Sequence, residues 1–462
     1  MSVNFKDKKR LIQWAITLLV PLLIFLIPES DHVTWNLKMF LYVTSVIILI
    51  LAFDFFDTAW PAIMLPTLYV VLNIVPVDVA FSSWTNTTVW MIIGAYVLTG
   101  ALEECGLLKR IAIWCIRACG GTFTGTMFGL VIAGYALSWV TFCNHYVVMA
   151  VLSYAICVAM NTGKSFDSAL LLFAGQIGAL TVQLCSFEAL YNSMMQAGVD
   201  TVTDSITVPW YCLPLYNAPA LLIILVFTFI VCKVFRTKDR KLEGAKEYFD
   251  QQYREMGKVS SREKKAAVLL ILLLIYLVTT PLHGAPIPYG FMIVPYLMFL
   301  PGIRIADTKV IAKVNWSVVF FIAACLGIGN VAIYLNLGQI LSDILTPILE
   351  GVGPTGSMLL VYIAGTIANL VLTPAAMVSS LSGPLTQIAL DLNMNPFPFL
   401  MTLIYSTDSI FLPHEIGATL IFYGFGLMTM KQFVGLNLFK MLFFFIAFAL
   451  LQIPYWYLIA LL

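Results

Sequence analysis

Charge is what this sequence has least of. Lys, Arg, Asp and Glu make up 11% of its 462 residues, less than half the share of an ordinary globular domain, and histidine occurs four times. So few charges exclude both a soluble surface and a disordered chain. No Cys-x-x-Cys pair occurs, and the nine cysteines lie in or beside apolar runs, where they read as small membrane-helix residues. His-Glu-x-x-His and Gly-x-Ser-x-Gly are absent, so a membrane hydrolase has no visible metal site or nucleophile. The short steps Gly327-Ile328-Gly329 and Gly424-Phe425-Gly426 fall short of a nucleotide fingerprint, and without a P-loop, ATP-driven pumping is not expected. A net charge of +1 offers nothing to nucleic acid. The partners to expect are a small-molecule solute and the lipid bilayer, with no cofactor.

Apolar residues fill the rest: 61% hydrophobic, with a mean hydropathy of +0.93. The run 11–28 reads as a first membrane helix and not a cleaved leader, because Glu29, Ser30 and Asp31 follow it instead of small residues. Further apolar stretches recur along the whole chain. Two of them, 121–160 and 354–390, are too long for one span and are interrupted by polar residues or proline. Taking both as re-entrant hairpins, with a cytoplasmic N-terminus, places every Lys and Arg except Lys38 on the cytoplasmic side. The positive-inside rule then supports eleven crossings plus two hairpins, with the C-terminus outside. The expected fold is an all-α polytopic membrane protein.

The segments are 1–34 (N-terminal segment and first helix), 35–235, a polar cytoplasmic linker at 236–265 carrying a solvated surface helix, and 266–462. The two large segments share an order of elements. Each has a span entered near a Trp (Trp84, Trp316), a glycine (Gly106, Gly338) and an amphipathic helix, then a hairpin and a span broken by polar residues. The broken spans fall at 167–200 and 397–428, with Glu188 and Glu415 in corresponding places. An odd number of crossings separates the copies, so the repeats are inverted, an architecture of secondary transporters. Non-helical backbone at membrane depth must be buried in protein or line a cavity, so the breaks and hairpin tips are expected to converge on one site.

Residues 106–114, 315–329 and 385–433 carry a likeness to a known family: the chain resembles the divalent anion/sodium symporters, which carry di- and tricarboxylates and sulfate. The resemblance implies a homodimer in a bacterial cytoplasmic membrane, an elevator motion of the hairpins and broken helices, and sodium coupling. Of that family's Ser-Asn-Thr tip motif, Asn144 and Thr373 are the only counterparts here. The positions of its Thr-Pro-Pro-Asn sequence read Cys185-Ser186-Phe187-Glu188 and Pro413-His414-Glu415-Ile416.

Ionisable residues at membrane depth are functional candidates by default. Here they are His145, Glu188, Asp408, His414 and Glu415, all at the first tip or the broken spans. Glu188, Asp408, His414 and Glu415 suit ion coupling, since buried carboxylates and histidines exchange protons or attract sodium. Asn144, His145, Ser186, Thr373 and Thr419 are expected to contact solute, and Thr141, Asn144, Ser406 and Ser409 can supply oxygens to sodium. No Lys or Arg falls on these elements, so an anionic solute is expected to rely on neutral donors and half-helix N-termini. The expected function is cation- or proton-coupled transport of a small polar organic solute, an organic anion such as a carboxylate. The competing readings are a zwitterionic or cationic solute held by Glu188 and Glu415, a channel, and an intramembrane enzyme using Cys143 and His145.

Overall fold

The computed structural model describes residues 8–29, 33–53, 55–57, 59–119, 122–141, 145–237, 245–337, 340, 347–370, 372–413 and 415–462. Cys143, Asn144, His414 and the amphipathic helix expected after Gly338 lie outside the described residues. Among the described residues every regular element is helical. In chain order the longer helices are α1 (Lys8–Leu19), α2 (Trp35–Ala52), α3 (Ala59–Val71), α4 (Thr87–Glu104), α5 (Leu107–Ala118), α6 (Phe123–Thr141), α7 (His145–Ala159), α8 (Phe166–Ala179), α9 (Ala189–Asp200) and α10 (Pro219–Val234). They continue with α11 (Ala245–Glu255), α12 (Ser261–Val278), α13 (Ile287–Leu297), α14 (Trp316–Tyr334), α15 (Gly353–Asn369), α16 (Pro374–Asp391), α17 (Pro396–Thr407), α18 (Gly417–Gly424), α19 (Met430–Ala447) and α20 (Ile453–Leu458).

Three helical stretches, Phe123–Thr141, Phe166–Asp200 and Met430–Leu458, are long and apolar enough to cross a bilayer; α4 and α5 make a fourth if taken together. Shorter apolar helices, among them Pro219–Val234 and Trp316–Ala332, join them. Their outward faces carry Leu222, Phe229, Ile271, Ile275, Leu442 and Leu450, all exposed, a surface that water rejects and lipid accepts.

The chain forms two units, and each draws segments from both sides of the polar linker: 1–89, 194–207 and 315–403 in one, 90–193, 208–314 and 404–462 in the other. In the first, α14 packs on α3 and α16. Gly198, near the end of α9, lies against Ser382 of α16, where a β-carbon would come within 2.5 Å of the serine side chain. The arms of the second hairpin, α15 and α16, meet near Thr373, which caps α16 by accepting the Ala376 backbone N–H.

The second unit is built around α8. Ser165 caps it and Asp167 sits in its first turn, favourable to the helix dipole. Every residue from Ser168 to Ala179 is buried, as expected for a helix apolar on all sides. Glycines permit this enclosure. Gly178 is so close to α6 that a β-carbon would lie 2.6 Å from the Leu130 carbonyl oxygen, and one on Gly134 would overlap the Gly178 backbone. Gly134→Ala should therefore lower stability by about 1–3 kcal/mol, the usual penalty of overpacking. Gly435→Ala, on the exposed face of α19 with nothing within 4 Å, should be neutral or stabilising. Equal unfolding midpoints for the two variants in detergent would refute the close α6–α8 packing.

Gly106 adopts φ +82°, which ends α4 and lets α5 leave at 68°. The polar linker differs from the solvated segment expected. Its helix α11 is docked on α5, with Phe249 fully buried. Arg110 is the clamp: its guanidinium donates to Glu263 Oε1 at 2.6 Å and to the Gly257 and Met256 carbonyls at 2.9 and 3.1 Å. Arg117 pairs with Asp250 and stacks over Tyr253. Lys265 donates to the Gly302 carbonyl and Lys313 to Glu104. These direct contacts put Glu104, α5, the linker, Gly302 and Lys313 on one face of the unit.

Candidate functional site

Helix is interrupted between Ala179 and Ala189 and between Thr407 and Gly417, at places dictated by local chemistry. The α8 helix stops at Ala179, and the chain makes one 3-10 turn, Thr181–Cys185. It then runs extended through Ser186 and re-enters helix at Ala189. In the second half α17 stops at Thr407. The run Ser406-Thr407-Asp408-Ser409 supplies side chains that compete with the helix for backbone groups, and Pro413 blocks its continuation until α18 begins at Gly417.

The two breaks touch. Thr181 Oγ1 in the first donates to Asp408 Oδ1 in the second at 3.1 Å. The same carboxylate oxygen accepts from Lys440 Nζ at 2.9 Å, and Nζ lies 3.4 Å from Thr181 Oγ1. Lys440 is 1% exposed and Asp408 8%, so this is an ion pair out of water. One turn back along α19, Asn437 accepts from Gln176 Nε2 of α8 at 2.8 Å and returns its own amide to the Phe433 carbonyl. Asn437 and Lys440 are three residues apart and so share a helix face. Tyr191 on α9 lies beside Thr407 and Asp408, drawing the start of that half-helix to the same point. A second ladder braces the breaks: Asn217 donates to the Leu184 carbonyl, and Gln452 joins Tyr216 to the Tyr405 hydroxyl.

Lys440 corrects two expectations. It does not lie in an aqueous segment with the other basic residues, and the site does not lack a cation. The Thr429–Gln432 capping box starts the helix at Met430. That puts Lys440 ten residues, about 15 Å, inside an apolar helix. A lysine in the midst of the 430–458 apolar run, three residues after Asn437, was the available signal. Nothing in the sequence marked Thr181, Gln176 or Asn217 above other polar residues.

The expected residues meet different fates. His145 is fully buried at the start of α7, against the Gly178–Ala179 backbone, and neither ring nitrogen reaches a hydrogen-bonding partner among the described residues. Glu188 immediately precedes α9, and its Oε2 has no partner among those residues. Ser186 Oγ, Gln176 Oε1 and Asp408 Oδ2 are likewise buried and unmatched there. Unmatched buried polar atoms are rare in folded proteins, and their grouping around two touching breaks marks a place for water, ion or solute. Glu415 is not the mirror of Glu188: its carboxylate accepts the Phe411 and Leu412 backbone N–H groups, at 2.7 Å for the latter. Thr419 donates to the Pro413 and Ile416 carbonyls of its own loop. Thr141 donates back to Leu137, and its carbonyl accepts from Thr99. Ser406 and Ser409 are buried beside Asp408. Thr373, at the second hairpin, belongs to the other unit.

The citrate transporter family's sequence profile matches residues 45–406, most of the chain. The chain belongs to the citrate transporter family. Citrate is a tricarboxylate, which agrees with the likeness to di- and tricarboxylate carriers read from the sequence. Among curated proteins no sequence matches. Solved structures do. The YdaH transporter of Alcanivorax borkumensis aligns with a TM-score of 0.58 at 14% identity, covering 83% of this chain and 88% of that one. Neisseria gonorrhoeae MtrF, described as illuminating a class of antimetabolite efflux pumps, aligns with a TM-score of 0.54 at 16% identity, covering 79% and 80%. At these identities the likeness concerns the fold alone. This member of the citrate transporter family is thus an integral membrane transporter, not an enzyme, and it handles a small-molecule solute.

Proposed function

We propose that the protein is a secondary carrier of a small carboxylate, coupled to sodium or protons, in which the breaks of two inverted repeats form the solute site. The contact of Thr181 with Asp408 carries this reading, because it joins the broken span of the first half to that of the second. Lys440 supplies a cation there, and a carboxylate solute needs one more than a neutral solute does. Glu188 Oε2 and Asp408 Oδ2 are the oxygens left for the coupling cation or proton. A cationic or zwitterionic solute gripped by Glu188 and Glu415 together is less well supported, since Glu415 is engaged by its own loop. The basic face around α5 and the linker is then cytoplasmic, with eleven crossings, two hairpins and an outer C-terminus. The homodimer and the elevator motion rest on the family resemblance.

The test is uptake of labelled citrate and smaller di- and monocarboxylates into proteoliposomes, under imposed sodium or pH gradients. Glu188→Gln keeps the size and hydrogen-bonding capacity of the side chain and removes the charge. It should leave the unfolding midpoint within a few degrees of wild type while flattening the dependence of uptake on the coupling cation. Accumulation of an amino acid or polyamine in place of any carboxylate would overturn the reading. An unchanged cation dependence in an active Glu188→Gln protein would remove Glu188 from coupling.

A further inference from the structure

On the face formed by α5 and the linker, an open cleft of about 530 Å³ is lined by Arg110, Tyr253, Arg254, Gly257, Lys258 and Val259. Its charges are unevenly committed. Arg110 is spent on Glu263 and three linker carbonyls. The nearby acids are also engaged: Asp250 with Arg117, Glu263 with Arg110, and Glu255 with the amides of Gln251 and Gln252. Arg254 and Lys258 are exposed and take part in no ion pair among the described residues. Among the described residues the cleft therefore carries two cations with no ion-pair partner. Its surroundings combine exposed aromatic and apolar side chains with these cations. The α5 helix turns 68° away from α4, with Trp114 57% exposed on its outer side. Val259 is 44% exposed at the cleft itself, and the apolar run of α12 begins a few residues beyond Lys258.

We propose that this cleft binds the phosphate of an anionic phospholipid from the leaflet that α5 lies against. The Arg254 guanidinium and Lys258 ammonium hold the phosphate, while Trp114 and Val259 meet the upper acyl region. An anionic lipid bound there touches the linker at Arg254 and Lys258 and α5 at Arg110, and so ties linker docking to the composition of the membrane.

The experiment uses the full-length protein in detergent, titrated with phosphatidylglycerol, phosphatidylcholine or inorganic phosphate, and read by thermal unfolding and by native mass spectrometry of retained lipid. Phosphatidylglycerol should raise the unfolding midpoint and remain bound, whereas phosphatidylcholine and inorganic phosphate at equal concentration should not. Arg254→Gln with Lys258→Gln should weaken phosphatidylglycerol about 30-fold at low salt, and Lys258→Gln alone about fivefold. Lys258→Arg should retain binding. Undiminished phosphatidylglycerol affinity in the double variant would overturn the site. An equal response to phosphatidylcholine would show that no anion is recognised, and an equal response to inorganic phosphate would assign the cleft to a soluble anion. Both would overturn the lipid assignment.

Discussion

Lys440→Met should abolish uptake and lower stability by about 3–5 kcal/mol, because it leaves the Asp408 carboxylate buried beside Thr181 with no cation. The reverse change, Asp408→Asn, strands the ammonium of Lys440 and should cost a similar amount. Combining the two removes both charges, so the double variant should recover much of the stability while remaining inactive. That pattern distinguishes an ion pair that only holds the breaks together from one that also serves the solute. Unfolding midpoints of the four proteins in one detergent give the coupling between the residues directly. Were each single variant as stable as wild type, the pair would be behaving like an exposed one, worth about 0–1 kcal/mol, and the buried arrangement would be wrong. Transport surviving in the double variant would leave the pair a bracing role alone.

Arg110→Leu should release the linker. The side chain of Glu263 is 5% exposed and would lose the Arg110 cation, and the Met256 and Gly257 carbonyls would lose their donor. A loss of about 3–5 kcal/mol is expected for breaking such a pair from one side. The pH dependence carries a sign. Burial raises the Glu263 carboxyl, but the Arg110 hydrogen bond and the Ser260 cap outweigh it and hold the group below the usual carboxylate range. A depressed carboxyl stabilises the fold fully above its unfolded value of about 4.3, and that contribution is lost as the pH falls through its folded value. In Arg110→Leu the same carboxyl is buried without a cation and should be raised instead. The variant should then gain stability as the pH falls toward about 4.3, whereas wild type keeps its contribution over that range and loses it only below that value. Proteolysis of α11 alongside thermal unfolding from about pH 3 to 7 checks both halves of the prediction. A variant whose midpoint falls on acidification in parallel with wild type would show that Arg110 does not control Glu263.

The sequence by itself determined what is local. Apolar composition settled the all-helical membrane class, and Gly106 marked a bend that only a residue free to adopt positive φ makes easily. Polar runs and Pro413 placed the interruptions of the two broken spans, because a side chain that competes with its own backbone acts within a turn of where it stands. The polar linker stood out for the same reason. What only the tertiary structure decided is which of these polar groups meet. Asp408 is 32 residues from Lys440, Thr181 is 259 from it, and Arg110 is 153 from Glu263. Contacts over such separations leave no periodicity to read, and Lys440 resembled any basic residue at a span's end until the start of α19 was known. The charge pattern grouped α5 with the linker on one face, but not the docking that buries Arg110. That depends on the fit of two surfaces, which the order of residues along either one does not contain.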